Sequence, residues 1–151
     1  MNMPIRYAIQ PDLDLLLYIF EGECTAAEYF DMYRFVYFDK RRHHGMNVLM
    51  DLSKAGLDFD TGNLWEARAI VVENNACGFP PDHVAILTNS TTMRCLKDAL
   101  VLMADNVTMY LDVFNNFNDA VYWLGLAEMK WEITHFWEEN MRSGSKDRLA
   151  V

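Results

Sequence analysis

The sequence contains few basic residues, few cysteines and no long hydrophobic run. Its 13 lysines and arginines are outnumbered by 22 aspartates and glutamates, which gives a formal net charge of −9. A surface this acidic repels phosphate groups, so nucleic acids and anionic membrane surfaces are not expected as partners. No apolar run is longer than Leu15–Phe20, which is too short to cross a bilayer, and the first ten residues lack the pattern of a secretory signal. Stable membrane anchoring is therefore not expected.

Motifs for metal binding, cofactor binding and catalysis are also missing. Cys24, Cys77 and Cys95 form no C-x-x-C pair, and an odd number of free thiols is typical of the reducing cytoplasm. The histidines lack the spacing of metal ligands, and the sequence has neither a nucleophile elbow nor a phosphate-binding glycine loop. The sequence thus predicts a cytoplasmic protein without a metal, a cofactor or an enzymatic activity.

What the sequence does contain is an alternation of strand and helix patterns over 151 residues, 52% of which are hydrophobic. A turn signal at Gln10-Pro11-Asp12 indicates a hairpin between the first two strands, and a capping box at Thr25–Glu28 begins the first helix. The predicted strands are Ile5–Ile9, Leu13–Glu21, Met46–Asp51, His83–Leu87 and Val107–Val113. The predicted helices are Ala26–His43, with Gly45 closing it, Thr61–Asn75, Thr91–Ala104 and a last helix that Asn116 caps and that runs to Leu124.

This order, β-β-α-β-α-β-α-β-α, predicts an α/β fold with a mixed five-stranded sheet, mostly parallel, with an antiparallel N-terminal hairpin and helices packed on the sheet. Residues 1–126 form this domain. An amphipathic helix at 127–142 is appended to it, and a polar tail follows at 143–151. The helix must bury its apolar face against its own domain or in a partner contact, such as a homodimer. Candidate contact residues are Met129, Trp131, Ile133, Phe136 and Trp137.

The segment after the third predicted strand is the first place to look for a function. A buried parallel strand that leads through a loop into a helix presents that loop at the carboxyl edge of the sheet, where ligands and partners bind. The candidate partner or ligand residues in this loop are Asp51, Ser53, Asp58, Asp60 and Thr61. The carboxylates could hold a cation or act as acid and base. The alternative is that they are solvated loop residues of an acidic protein.

The strand-closing tripeptide Asp51-Leu52-Ser53 and the closing stretch Val113-Phe114 with Asp119–Leu124 resemble the SpoIIAA-like, or STAS-like, domains. These are anti-sigma-factor antagonists and their uncharacterised bacterial relatives, and the resemblance covers Ile5 to Leu126. In the antagonists, a serine of a D-S-S-G-L motif accepts phosphate. Here Gly62 stands at that position, so the resemblance does not carry the phosphorylation switch over. Thr61 is the nearest substitute acceptor, and its simpler role is that of a helix N-cap.

The resemblance and the missing catalytic motifs together predict a non-catalytic interaction or regulatory module that acts through protein–protein contacts. The alternative is that a pocket of the same fold binds an apolar small molecule or a lipid, for which the methionines and aromatic residues provide an adaptable lining. An enzyme ranks last. The first predicted helix has more aromatic residues than one apolar stripe needs, so some of them could line a pocket or a contact surface. These residues are Tyr29, Phe30, Tyr33, Phe35, Tyr37 and Phe38.

Overall fold

The computed structural model describes residues 4–143, which fold around one five-stranded sheet. The strands lie side by side in chain order, β1-β2-β3-β4-β5; β1 and β2 are antiparallel, and all other pairs are parallel. The α/β fold, the sheet and its hairpin are therefore as predicted. The strands are β1 (Ile5–Gln10), β2 (Leu15–Thr25), β3 (Asn47–Asp58), β4 (His83–Leu87) and β5 (Tyr110–Phe114). The helices are α1 (Ala26–Tyr37), α2 (Thr61–Ala76), α3 (Thr91–Met103), α4 (Phe117–Trp123) and α5 (Lys130–Ser143).

The central strand is β3, and its first half is buried on both sides. Val48, Leu49 and Met50 are each at most 5% exposed. Because side chains alternate along a strand, Val48 and Met50 point to one face, which we call the front face, and Leu49 points to the other, the back face. The prediction that this run lies deep inside a parallel sheet is confirmed.

The strand does not end at Asp51, and the predicted ten-residue loop after it is wrong. β2 and β3 stop pairing after Ile19 and Asp51, and they resume in a shifted register from Glu21 and Lys54 to Thr25 and Asp58. This irregularity lets both strands continue as a long two-stranded ribbon beyond the rest of the sheet. The second predicted strand is also too short, for the same reason.

Different helices cover the two faces. α1, α2 and α3 lie over the front face, while α4 and α5 lie over the back face. Ile133 of α5 is 1% exposed in the back-face core, and Phe136 and Trp137 pack beside it. The appended helix therefore packs on its own domain. A 3₁₀ turn at Ala127–Met129 precedes it. Trp131 is 75% exposed, and the homodimer stays a prediction. Residues 144–151 of the predicted polar tail lie outside the described part of the chain.

α1 ends at Tyr37, six residues before the predicted end, because Asp39 rearranges the chain that follows. Its carboxylate accepts hydrogen bonds from the backbone N–H of Arg41 at 2.9 Å, from the Arg41 guanidinium, and from the Tyr7 hydroxyl of β1 at 2.8 Å. These bonds form a turn that a continuing helix would not allow. β5 similarly begins three residues late, since the Val107 N–H donates to the Ala104 carbonyl in a turn after α3.

The helix caps that the sequence predicts are present. Thr25 interacts with Glu28, and Asn116 interacts with Asp119. Among the helices within residues 4–143, none has both the length and the apolar content needed to span a bilayer.

Replacing Asp39 tests the turn after α1. Hydrogen bonds from Arg41, and a further one from Tyr7, lower the pKa of Asp39 from its usual 3.8 to about 2. Partial burial has the opposite effect on this pKa but is outweighed. A carboxylate with a lowered folded-state pKa stabilises the fold above its unfolded pKa, and this stabilisation is lost as the pH falls through the folded value. We expect Asp39→Asn to lower the free energy of unfolding by about 2 kcal/mol at pH 7.

At pH 3 the same substitution should lower the free energy of unfolding by only about half as much, as measured by urea denaturation. Asp31→Asn, at an exposed position of α1, is the control. An equal cost for Asp39→Asn at both pH values would contradict this assignment.

Candidate ligand cavity on the front face

The helix α2 lies over the front face but buries little of itself. Among its 16 residues only Leu64 is buried, and α3 is the element that it contacts most extensively. The sequence explains this, because Ile70, Val71 and Val72 are adjacent and cannot all face the sheet. Asp60 and Asn63 form a reciprocal capping box that fixes the start of the helix. The N-cap is therefore Asp60, and Thr61, proposed above as the cap, is the first helical residue.

A cavity of about 200 Å³ lies between this helix and the sheet. Its walls come from α1, α2 and α3, and its floor comes from β3 and β4. The lining is mainly apolar, and its principal side chains are Met50, Leu57, Leu64, Ile70, Met93 and Leu100. α1 contributes three of the aromatic residues that the sequence marked as surplus, Tyr29, Phe30 and Tyr33. The cavity is partly open to solvent.

Several polar groups of the cavity surround the carboxyl end of α2. Asn74 donates a hydrogen bond of 3.4 Å to the Tyr33 hydroxyl. Asp82, just before β4, also lines the cavity and is paired with Arg42 at 2.6 Å. Burial raises the pKa of Tyr29, and the nearby Tyr33 and Asp82 raise it further, while Arg42 acts in the opposite direction. These groups therefore share one electrostatic environment, which we call the tyrosine end of the cavity.

An aromatic stack adjoins the tyrosine end. The His44 ring lies parallel to Phe79 with ring centroids 4.0 Å apart, and it meets Tyr37 edge-on at 5.5 Å. Burial and the charge of Arg42 lower the pKa of His44 below its usual value of 6.5. His44 is therefore neutral at pH 7 and adds no charge to this end of the cavity.

The five candidate loop residues lie elsewhere. None of them lines the cavity. Asp58, Asp60 and Thr61 are exposed at the end of β3 and the start of α2. Leu57 and Phe59, in the same segment, are the residues that reach the cavity. Within residues 4–143, no three Asp, Glu, His or Cys side chains converge as metal ligands would.

Asp51 and Ser53 are brought together, in a structural arrangement on the back face. Asp51 is 1% exposed and is the only buried carboxylate among residues 4–143. It accepts hydrogen bonds from the Ser53 backbone N–H at 2.9 Å, from the Ser53 hydroxyl, and from the indole N–H of Trp137 at 2.6 Å. Three donors compensate the lost hydration of the carboxylate. The Trp137 bond also ties α5 to the central strand.

Sequence reasoning named Tyr29 and Tyr33 as surplus aromatic residues but missed the contribution of α2 and the residues before β4. The available signal was the apolar triplet Ile70-Val71-Val72 within a helix that lacks a single apolar stripe. No local pattern could place Asp82 at the cavity, because its position depends on its ion pair with Arg42, 40 residues away.

Removing the Trp137 donor tests the Asp51 arrangement. Trp137→Phe keeps an aromatic ring but leaves the buried carboxylate one donor short, so we expect the free energy of unfolding to fall by about 2 kcal/mol. The measurement is urea denaturation followed by circular dichroism.

Trp123→Phe is the matched control. Trp123 packs against the same back-face core, and within residues 4–143 its indole N–H has no hydrogen-bond partner. The control should lower the free energy of unfolding clearly less than Trp137→Phe does. Equal decreases would mean that the bond to Asp51 contributes no stability beyond ring packing.

Comparison with known proteins gives a fold but no activity. No protein-family model matches the sequence, and no curated protein matches it. Among solved structures, the chain is similar to an uncharacterised protein of the DUF3478 family from Shewanella loihica PV-4, which has a SpoIIAA-like fold. The two share 16% sequence identity with a TM-score of 0.51, and the match covers 80% of this chain and 91% of the other. The protein described here therefore has a SpoIIAA-like fold.

Proposed function

We propose that this protein is a non-catalytic binding module that takes an apolar small molecule or a hydrocarbon chain into the front-face cavity. The observation that carries the proposal is the cavity itself, about 200 Å³ with a mainly apolar lining, beneath a helix with a single buried residue. For comparison, an engineered apolar cavity of about 150 Å³ stays dry and binds benzene. The space here fits a small ring or part of a hydrocarbon chain, and because the cavity is partly open, a larger ligand can extend from it toward solvent.

The loose packing of α2 supports ligand entry from this side. Protein interiors normally fill their space, since an empty cavity forfeits dispersion contacts and costs stability. A ligand would restore these contacts. A helix with few buried apolar contacts also opens at low free-energy cost compared with a helix seated in the core. Met50 and Met93 in the lining are flexible enough to adapt to different ligand shapes.

The charged groups at the cavity favour binding over catalysis. A general acid or base needs either an unpaired charged group or a readily released proton beside the ligand, and burial raises the pKa values of the Tyr29 and Tyr33 hydroxyls, which makes them poor proton donors. Asp82 is engaged by Arg42 and by the Gly45 backbone N–H at 2.8 Å. Lys97 on α3 is paired with Asp98 at 2.7 Å and with Asp112 at 3.3 Å. Each charge is therefore already balanced within the protein.

Protein–protein contact is a second candidate function, and the aromatic end of α1 supports it. Phe38 is 82% exposed and Phe35 is 47% exposed, and the Tyr37 and Phe38 rings touch edge to face at 5.5 Å. Exposed aromatic groups of this kind are enriched in interfaces. Phe35, Tyr37 and Phe38 do not line the cavity, so the two functions would use separate surfaces and could coexist.

Filling the cavity tests the binding proposal. Ala67 of α2 lines the cavity, so Ala67→Phe places a ring where the ligand would lie. We expect the affinity for an apolar dye such as N-phenylnaphthylamine, measured by its fluorescence, to fall by about tenfold or more, because the new ring occupies the space of the dye and displacing it costs about 1–3 kcal/mol.

Ala69→Phe is the matched control, since Ala69 lies on the exposed side of the same helix. This variant should bind the dye like the parent protein. Dye binding that both substitutions leave unchanged, or that both weaken equally, would place the dye outside the cavity and refute the proposal.

A further inference from the structure

We propose that the ligand carries an uncharged oxygen head group, a hydroxyl or a carbonyl, which the hydroxyls of Tyr29 and Tyr33 bind at the tyrosine end of the cavity. This inference rests on the proposed function and adds the chemical class of the ligand: a chain or ring with one neutral hydrogen-bond acceptor. It follows from the unused hydrogen-bonding groups at this end and from the charges around them.

The Tyr29 side chain is partly buried, and its hydroxyl has no protein partner within residues 4–143. Tyr29 lines the cavity, its ring packs against Tyr18, Phe20 and Phe30, and burial is the largest cause of its raised pKa. Within residues 4–143, no hydrogen bond of the protein involves this hydroxyl. A buried hydroxyl normally finds a partner, because leaving one unsatisfied is costly. The unfilled bond therefore marks the place where a ligand acceptor would lie.

Tyr33 supplies a second donor one helical turn further along α1. Residues four apart lie on the same face of a helix, so Tyr29 and Tyr33 both face the cavity. The Tyr33 oxygen accepts a hydrogen bond from Asn74, which leaves its own proton free to donate. Two O–H donors at one end of an apolar cavity match one acceptor oxygen.

The charges at this end favour a neutral head over a carboxylate. Two charged residues line the cavity: Asp82, which belongs to the tyrosine end, and Lys97 of α3, whose ammonium group is already paired with Asp98 and Asp112. The neighbouring cation, Arg42, pairs with Asp82 and also donates to the His43 carbonyl. A ligand carboxylate would lose its hydration here and face Asp82 without an unpaired cation, which is unfavourable. A hydroxyl or carbonyl meets no such penalty.

Four probes with similar chain lengths test the inference: octyl chloride, n-octanol, methyl hexyl ketone and octanoate, each measured by displacement of the dye at pH 8. For the parent protein we expect n-octanol or the ketone to bind about fivefold or more tighter than octyl chloride, and octanoate to bind more weakly than either. Whichever neutral probe binds more tightly identifies the head as a hydroxyl or a carbonyl.

The double variant Tyr29→Phe/Tyr33→Phe removes both donors and keeps both rings. We expect it to lose about fivefold to tenfold in affinity for the neutral oxygen probes and to bind octyl chloride as the parent does. Tyr37→Phe, on the same helix but outside the cavity lining, should change none of the four affinities. Tyr29→Phe alone should leave the melting temperature equal or higher, because the hydroxyl that it removes has no partner.

Failure of this inference is distinguishable from failure of the proposed function. Tighter binding of octanoate than of n-octanol, or an unchanged n-octanol affinity in the double variant, would overturn the neutral head group. In that case octyl chloride would still bind the parent and be excluded by Ala67→Phe, and the apolar cavity would stand. If none of the four probes displaces the dye, both proposals are wrong.

Discussion

The structure depends on the burial of β3 on both of its faces. A central strand whose side chains are apolar on both faces must be covered by other elements on each side of the sheet. Val48 and Met50 require a cover on the front face, and Leu49 requires one on the back face. Every helix described between residues 4 and 143 serves one of these two requirements, so the position of β3 determines where a cavity can form.

The two faces meet this requirement with different degrees of packing. On the back face, α5 inserts Ile133 into the core, and Trp137 bonds to the buried carboxylate of Asp51. On the front face, α2 buries only Leu64, and the gap beneath it is the cavity. Asp51, in the middle of β3, therefore contributes to the structure of the back face, while Leu57 near the end of β3 and Phe59 just after it line the front-face cavity. This asymmetry is a difference in how closely the helices of the two faces pack against the sheet.

Local sequence patterns predicted the elements but not the contacts that join distant segments. The Thr25–Glu28 capping box, the Asn116 cap and the bounds of β4 depend on neighbouring residues, and the sequence predicts them correctly. The second half of β3 was missed because it exists only through shifted pairing with β2. The early end of α1 depends on Tyr7 and Asp39, 32 residues apart, and the Trp137–Asp51 bond spans 86 residues. The cavity was hardest to foresee, since it arises where packing is absent, although the surplus of aromatic residues on α1 was a real signal.

Native-state hydrogen exchange tests this asymmetry most directly. If β3 is the doubly covered centre, the amides of Val48–Met50 should exchange only through global unfolding, whose free energy denaturation measures independently. The α5 amides around Ile133 should approach the same protection, while the α2 amides from Trp65 to Val72 should exchange through a smaller opening with a clearly lower free energy. Protection of α2 equal to that of β3, or exchange of Val48–Met50 as fast as that of the exposed residues, would contradict the account.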